Sequence, residues 1–137
     1  MKPLEVNPQH LTGSNLAYLG DAYYELQIRL YLLSQGITKP LSLQRLAKSY
    51  VSASAHALIF VSLEPLLTEE ELGVYKRGRN GAHLNHRKNV DPGEYSISSG
   101  LEAVIGYLYL KNDWERLSFL INQAIQIIDN RKDVNRG

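Results

Sequence analysis

The sequence predicts an all-α protein, and three observations carry that prediction. Apolar residues recur at spacings of three and four, helix-capping residues precede these stretches, and Gly or Pro follows them. No stretch shows the sustained alternation of apolar and polar residues that β-hairpins require. With 137 residues the chain suits one domain, which we expect to span 1–137 with polar ends at 1–10 and 129–137.

The first predicted helix runs from Leu16 to Leu33. Ser14 or Asn15 is placed to cap its start and Gly36 to end it. Its apolar stripe consists of Leu16, Leu19, Tyr23, Leu26, Leu30 and Leu33.

Pro40 separates this helix from a second one, which Ser42 can cap and which carries Leu43, Leu46 and Tyr50. The stretch 51–63 is rich in alanine and aliphatic residues. It either extends the second helix or forms a third, and Pro65 then breaks the pattern.

Thr68 starts the next helix, because Glu71 follows three residues later as in a capping box. The acids 69–71 also favour the positive end of the helix dipole. This helix is predicted to reach about Arg79, and a polar loop follows over 80–94 around Asp91-Pro92-Gly93.

Two further helices complete the prediction. One covers 95–110, and Asp113 caps the last. The core-facing residues of the last helix are Leu117, Leu120, Ile121, Ala124, Ile127 and Ile128. From Asp129 the chain is polar, and we expect it to fray.

Overall composition narrows the class of protein. Hydrophobic residues at 44% and charged residues at 21% exclude general disorder, and a net charge of +1 identifies no partner. The absence of cysteine excludes disulfides and thiolate zinc sites. No secretory signal or spanning stretch is visible, so we expect a cytoplasmic protein with no membrane partner.

Two acids stand in otherwise apolar helices. The first helix has charges at steps of four residues, which places Asp21, Glu25 and Arg29 on one stripe of its surface. The simpler interpretation is that this stripe faces solvent and that Glu25 pairs with Arg29. Glu102 is the only charge within 95–110. An ionised carboxylate there needs a partner, a bound cation or a place at the rim of the core.

A shared Mg²⁺ would satisfy both acids. This ion prefers oxygen ligands and typically takes one or two protein carboxylates, with waters and phosphate oxygens in the remaining positions. Gly20, Gly100 and Gly106 would let the two helices approach closely. The pattern therefore suggests a metal site at Asp21 and Glu102.

A basic segment has no acid between Glu71 and Asp91. One or two of its cations can complement a helix C-terminus, but five without compensating acids favour a phosphate-binding surface for RNA, DNA or an acidic protein. We expect the two histidines of this segment to contact phosphate or solvent rather than a metal. The residues are Lys76, Arg77, Arg79, Arg87 and Lys88, with His83 and His86.

Two segments carry a family resemblance. Residues 16–25, LAYLGDAYYE, resemble the signature of the ribonuclease III family, and residues 101–110, LEAVIGYLYL, resemble its second acidic helix. Residues 50–53, YVSA, and 75–80, YKRGRN, together with Tyr95-Ser96, narrow the likeness to its Mini-ribonuclease III group. That group is the short bacterial form without a double-stranded-RNA-binding domain.

The resemblance implies an all-helical endonuclease domain acting as a homodimer, with a cleft for double-stranded RNA and one Mg²⁺-dependent site per protomer. It implies that Asp21 and Glu102 are the catalytic, metal-holding residues, and that the substrate is structured RNA such as precursor large-subunit ribosomal RNA. Longer relatives carry acids where this sequence has Ala17 and Ser99, which leaves the number of metals open.

We therefore expect a Mg²⁺-dependent endoribonuclease. Glu25, one turn after Asp21, would orient a water on the metal or Arg29, and the five cations of the basic segment would position the duplex. Two alternatives stay open. One is a non-catalytic RNA-binding or ribosome-associated module on the same fold, and the other is a purely structural helical dimer.

Overall fold

Within residues 4–82 and 90–136, which the computed structural model describes, the chain forms six α-helices and no strand. The all-α prediction is therefore confirmed. The helices are α1 (Gly13–Ser34), α2 (Pro40–Val51), α3 (Ala53–Leu63), α4 (Glu69–Gly81), α5 (Pro92–Leu110) and α6 (Trp114–Arg136).

The start of α1 differs from the prediction that Ser14 or Asn15 caps it. Thr12 is the cap: its Oγ1 accepts a hydrogen bond from the Asn15 amide at 3.1 Å, and the Asn15 side chain accepts one from the Thr12 amide at 3.4 Å. Gly13, the first residue of the extra turn, packs on the α4 backbone. A Cβ at Gly13 would lie 2.3 Å from the Arg77 carbonyl oxygen.

Two prolines start helices, which corrects two predicted boundaries. Pro40 opens α2, so the predicted Ser42 cap is wrong, and Pro92 opens α5, where the sequence suggested a loop. Proline suits the first turn because its fixed φ is already helical and no amide is needed there. At α5 the Asp91 carboxylate caps by accepting from the Glu94 amide at 3.1 Å.

The middle of the chain contains a separate third helix. α3 is distinct from α2, because the Ser52 hydroxyl accepts from the Ala55 amide at 3.2 Å and caps a new helix. The capping box of Thr68 and Glu71 is confirmed, and α4 continues past Arg79 to Gly81.

α6 also outlasts its prediction. The Asp113 cap is confirmed, since its carboxylate accepts from the Arg116 amide at 3.3 Å. The expectation of fraying from Asp129 is wrong, because the helix continues to Arg136. The Asp129 carboxylate accepts hydrogen bonds from the Tyr31 and Tyr50 hydroxyls, which attach this part of α6 to α1 and α2.

The central helix is α5, which packs against α1, α3, α4 and α6. Glycines allow two of these crossings to be very close. A Cβ at Gly20 of α1 would lie 1.7 Å from the Glu102 carbonyl oxygen, and one at Gly106 would lie 2.0 Å from the Leu16 carbonyl oxygen. On the α4 side, a Cβ at Gly78 would lie 2.7 Å from the Ser99 carbonyl oxygen.

A buried ion pair fastens α4 to α6. The Glu71 carboxylate accepts from Arg116 Nε and Nη2, each at 2.8 Å, and from the Thr68 amide at 2.9 Å. Burial raises the pKa of Glu71, but the hydrogen bonds from Arg116 and Thr68 outweigh burial and hold that pKa below its ordinary value of 4.5.

No single helix in the described part of the chain has both the length and the hydropathy to cross a membrane. Among those residues, one pair of segments is long and apolar enough when the two are taken together. The pair consists of α2 and Ala53–Leu66, which meet at a bend of 44°.

Gly20→Ala should destabilise the protein by at least about 2 kcal/mol, because the added methyl group meets backbone atoms that cannot move aside easily. Gly73→Ala in α4 is the matched control. A Cβ there meets nothing within 4 Å, so the free energy of unfolding should rise by about 0.5–1 kcal/mol. Urea unfolding of both variants measures the difference, and equal stabilities would contradict the crossing.

Glu71→Gln should destabilise the protein by about 1–3 kcal/mol at neutral pH, since it leaves Arg116 without its counter-ion. The folded-state pKa of Glu71 lies below the unfolded value, so its contribution is present above that value and is lost as pH falls through the folded pKa. The difference from wild type should therefore shrink towards about pH 3. Urea unfolding at both pH values tests this, with the exposed Glu69→Gln as control.

Candidate active site

The two sequence-predicted acids lie at the α1–α5 crossing. Asp21 directly follows Gly20, and the backbone of Gly20 packs against the carbonyl oxygen of Glu102. Asp21 is exposed and Glu102 is half-buried, although its neighbours Leu101 and Ala103 are buried. Both carboxylates therefore stand at the rim of the core, on helices whose backbones touch.

Two buried aromatic rings connect the surroundings of the acids. The Tyr24 and His56 rings meet edge to face with centroids 5.2 Å apart. Burial, and then the charge of Glu102, raise the pKa of Tyr24. Burial lowers the pKa of His56 to about 4, against the smaller opposing effect of the Asp21 charge. Each ring thus lies within electrostatic range of one of the two acids.

The Tyr24 and His56 side chains have specific partners. The Tyr24 hydroxyl donates to the Tyr50 carbonyl oxygen at 3.0 Å, and His56 Nδ1 lies 2.6 Å from Ser98 Oγ. Both rings and Glu102 also border one small cavity of about 30 Å³, roughly the share of a single water. The sequence pattern indicated no partner for His56, because Ser98 is 42 residues away along the chain.

Glu25 is engaged with Arg29, one helical turn further along α1. Arg29 Nη2 donates to Glu25 Oε1 at 3.1 Å, and both side chains are substantially exposed. The simpler sequence interpretation, a solvent-facing pair, therefore describes these two side chains.

The described cations of the basic segment lie on the last turns of α4. Lys76, Arg77 and Arg79 are exposed. Arg77 Nη2 donates to the Leu11 carbonyl oxygen at 2.5 Å, and the Arg79 guanidinium lies 5.8 Å from the Tyr75 ring centroid. The histidines His83 and His86, and the cations Arg87 and Lys88, lie outside the described residues.

The α4–α5 crossing brings this basic turn close to the turn of α5 that carries Glu102. A Cβ at Gly78, between Arg77 and Arg79, would lie 2.6 Å from the Ala103 Cβ. Ala103 immediately follows Glu102. The basic turn of α4 and the Glu102 turn of α5 are therefore adjacent.

The donor set available for a metal consists of two carboxylates. Among the described residues, no group of three or more His, Asp or Glu side chains converges. Ala17 is buried, and Ser99 is half-buried. Two carboxylate donors at the solvent boundary fit Mg²⁺, which takes its remaining ligands from water and phosphate.

Comparisons with known proteins identify the family of this chain. Residues 14–113 match the family described as the Ribonuclease III domain. The chain is 46% identical over 123 residues to the Mini-ribonuclease 3 of Symbiobacterium thermophilum, which covers 90% of this chain and 95% of that protein. It is 47% identical over 120 residues to the Mini-ribonuclease 3 of Enterococcus faecalis, and the match covers 86% of this chain and 91% of that protein.

A solved structure has the same fold. The crystal structure of a Fusobacterium nucleatum protein superposes with a TM-score of 0.77 at 34% sequence identity, covering 86% of this chain and 94% of that one. Together with the family match and the curated relatives, this places the chain in the ribonuclease III family, in its Mini-ribonuclease 3 group, as an endoribonuclease.

Proposed function

We propose that the protein cleaves double-stranded or structured RNA in a Mg²⁺-dependent reaction, with Asp21 and Glu102 as the residues that hold the ion. The enzymes of this family act on RNA and generally depend on divalent metals. The observation that carries the proposal is the backbone contact between Gly20 and Glu102, because it brings the two acid-bearing turns together.

The chemistry follows from what each group supplies. When bound, Mg²⁺ makes a water nucleophilic at neutral pH and stabilises the charge that develops on the phosphate. Asp21 and Glu102 supply the negative charge that retains the ion. Glu25, one turn after Asp21, contributes indirectly by holding Arg29, which lies two turns after Asp21, at the surface.

Lys76, Arg77, Arg79, Arg87 and Lys88 position the substrate through phosphate contacts and carry no base specificity. An A-form duplex is recognised mainly through its phosphates and 2′-hydroxyls, so cations without an aromatic stacking surface suit it. Helix α4 presents three of these cations next to the α5 segment that carries Glu102.

The active form in this proposal is a homodimer in the cytoplasm. Tyr18, Leu26 and Leu30 on α1 are exposed to 80%, 51% and 52%, which leaves an apolar stripe for a second copy to cover. The proposed substrate is precursor large-subunit ribosomal RNA, for which the support is the family resemblance.

Asp21→Asn and Glu102→Gln should each reduce Mg²⁺-dependent cleavage of duplex RNA by more than about 100-fold. Loss of a residue that merely supports a metal ligand lowers activity by up to about 100-fold, and loss of a ligand itself should lower it further. Duplex binding without divalent ions should persist, because the phosphate contacts are separate. Glu115→Gln, an exposed acid on α6, is the control. Cleavage at the wild-type rate by either variant would refute the assignment, and binding by wild type without cleavage under any divalent ion would favour a non-catalytic module.

Neutralising Arg77 and Arg79 to Gln should weaken duplex binding across sequences. The slope of log affinity against log salt should become shallower by about 0.9 for each phosphate that the variant protein leaves unneutralised. A salt series of binding measurements without divalent ions checks this, with the exposed Arg131→Gln on α6 as control. An unchanged slope would remove the end of α4 from the RNA surface.

A further inference from the structure

A buried hydrogen bond links α3 to α5 beside the proposed metal site. His56 and Ser98 are 3% and 7% exposed, and His56 Nδ1 lies 2.6 Å from Ser98 Oγ. Most of the other contacts in this part of the core are apolar, through residues such as Ile59, Leu101 and Ile105. A polar pair in such surroundings needs a reason.

The pair lies between the helices of the two acids. Ser98 is one helical turn before Glu102 on α5, so both side chains lie on the same face of that helix. The His56 ring packs on Tyr24, which follows Asp21 by three residues on α1. The link therefore reaches the Glu102 turn directly and the Asp21 turn through one ring contact.

Stability alone does not account for the pair. A buried hydrogen bond contributes only about 1 kcal/mol net, and two apolar side chains of similar shape stabilise a core about as well. A hydrogen bond adds direction, because it weakens steeply when the donor and acceptor turn away from each other. It can therefore fix the rotation of α5 about its own axis, which apolar packing constrains less.

The chemical state of His56 agrees with a geometric role. Burial lowers its pKa to about 4, so the ring is uncharged at neutral pH. A neutral imidazole offers one donor and one acceptor, and the serine hydroxyl can complement either one. The ring is therefore suited to hold a hydrogen bond, and a neutral side chain of similar reach could replace it.

We propose that His56 and Ser98 are positioning residues, whose hydrogen bond sets the orientation of the Glu102 carboxylate relative to Asp21. This inference rests on the proposed function, because it assumes that the two acids hold a common cation. His56 and Ser98 themselves touch neither substrate nor metal in this role.

Four variants test the pair. Ser98→Ala and His56→Leu remove the hydrogen bond, and His56→Gln keeps a neutral group that can form it. Tyr31→Phe is the matched control, because it removes a hydrogen bond to Asp129 elsewhere in the fold. For each variant we would measure unfolding in urea, binding of a short RNA duplex without divalent ions, Mn²⁺ binding by electron paramagnetic resonance, and single-turnover cleavage with saturating RNA.

Ser98→Ala and His56→Leu should lower the cleavage rate and weaken Mn²⁺ binding by about 10–100-fold, as for groups that support metal ligands. Duplex binding should stay close to wild type. His56→Gln should recover most of both losses, and Tyr31→Phe should lose stability without losing Mn²⁺ affinity. Because Ser98→Ala is a small change, it carries the test even where His56→Leu fails to fold.

Wild-type Mn²⁺ affinity and cleavage in Ser98→Ala would overturn the positioning role. Failure of His56→Gln to recover activity would overturn the explanation by hydrogen bonding. The proposed function fails in a different way, namely when Asp21→Asn and Glu102→Gln themselves bind Mn²⁺ and cleave RNA as wild type does.

Discussion

The main chains of α1 and α5 touch, and the geometry of the candidate site follows from this contact. Packed helices usually keep 8–10 Å between their axes, at a distance set by the side chains at the contact. At Gly20 and Gly106 there are no side chains, and each glycine meets the backbone of the opposite helix. The helix turns that carry Asp21 and Glu102 are therefore held next to each other by main-chain contact.

The same contact also explains how two acids can stand beside an apolar core. An isolated buried carboxylate is strongly unfavourable, but Asp21 is exposed and Glu102 half-buried, so water reaches both. Beneath them lie Tyr24, a phenol that is uncharged at neutral pH, and His56, whose ring burial keeps uncharged at that pH. The site thus has solvent on one side and an uncharged, hydrogen-bonded layer on the other, which suits a hydrated cation that an anionic substrate approaches from outside.

Helix α5 connects the separate parts of the candidate site. One side of it meets α1 at the acid pair, another meets α4 at Gly78 beneath the basic turn, and Ser98 connects it to α3. A shift of α5 would therefore move the proposed metal ligand and the nearby cations together. The Glu71–Arg116 pair at the other end of α4 fastens α4 to α6 with two hydrogen bonds of 2.8 Å.

Local sequence was sufficient to predict the all-α class and the Thr68 and Asp113 caps, because these depend on residues a few positions apart. The candidate acids were inferred from their apolar surroundings and from the family resemblance, and their role stays a prediction. It misplaced the start of α1 by one turn, because the cap is Thr12, which pairs with Asn15, and the added turn packs on the α4 backbone at Gly13. It also predicted fraying from Asp129, because the tyrosines that bind this carboxylate lie 79 and 98 residues away. The close approach of the two acid helices, which the glycines predicted, is confirmed at Gly20 and Gly106, whereas Gly100 packs on Tyr75 of α4. The partnership of Ser98 with His56 became visible only in three dimensions, since contacts between distant segments depend on how the helices pack, which no local spacing encodes.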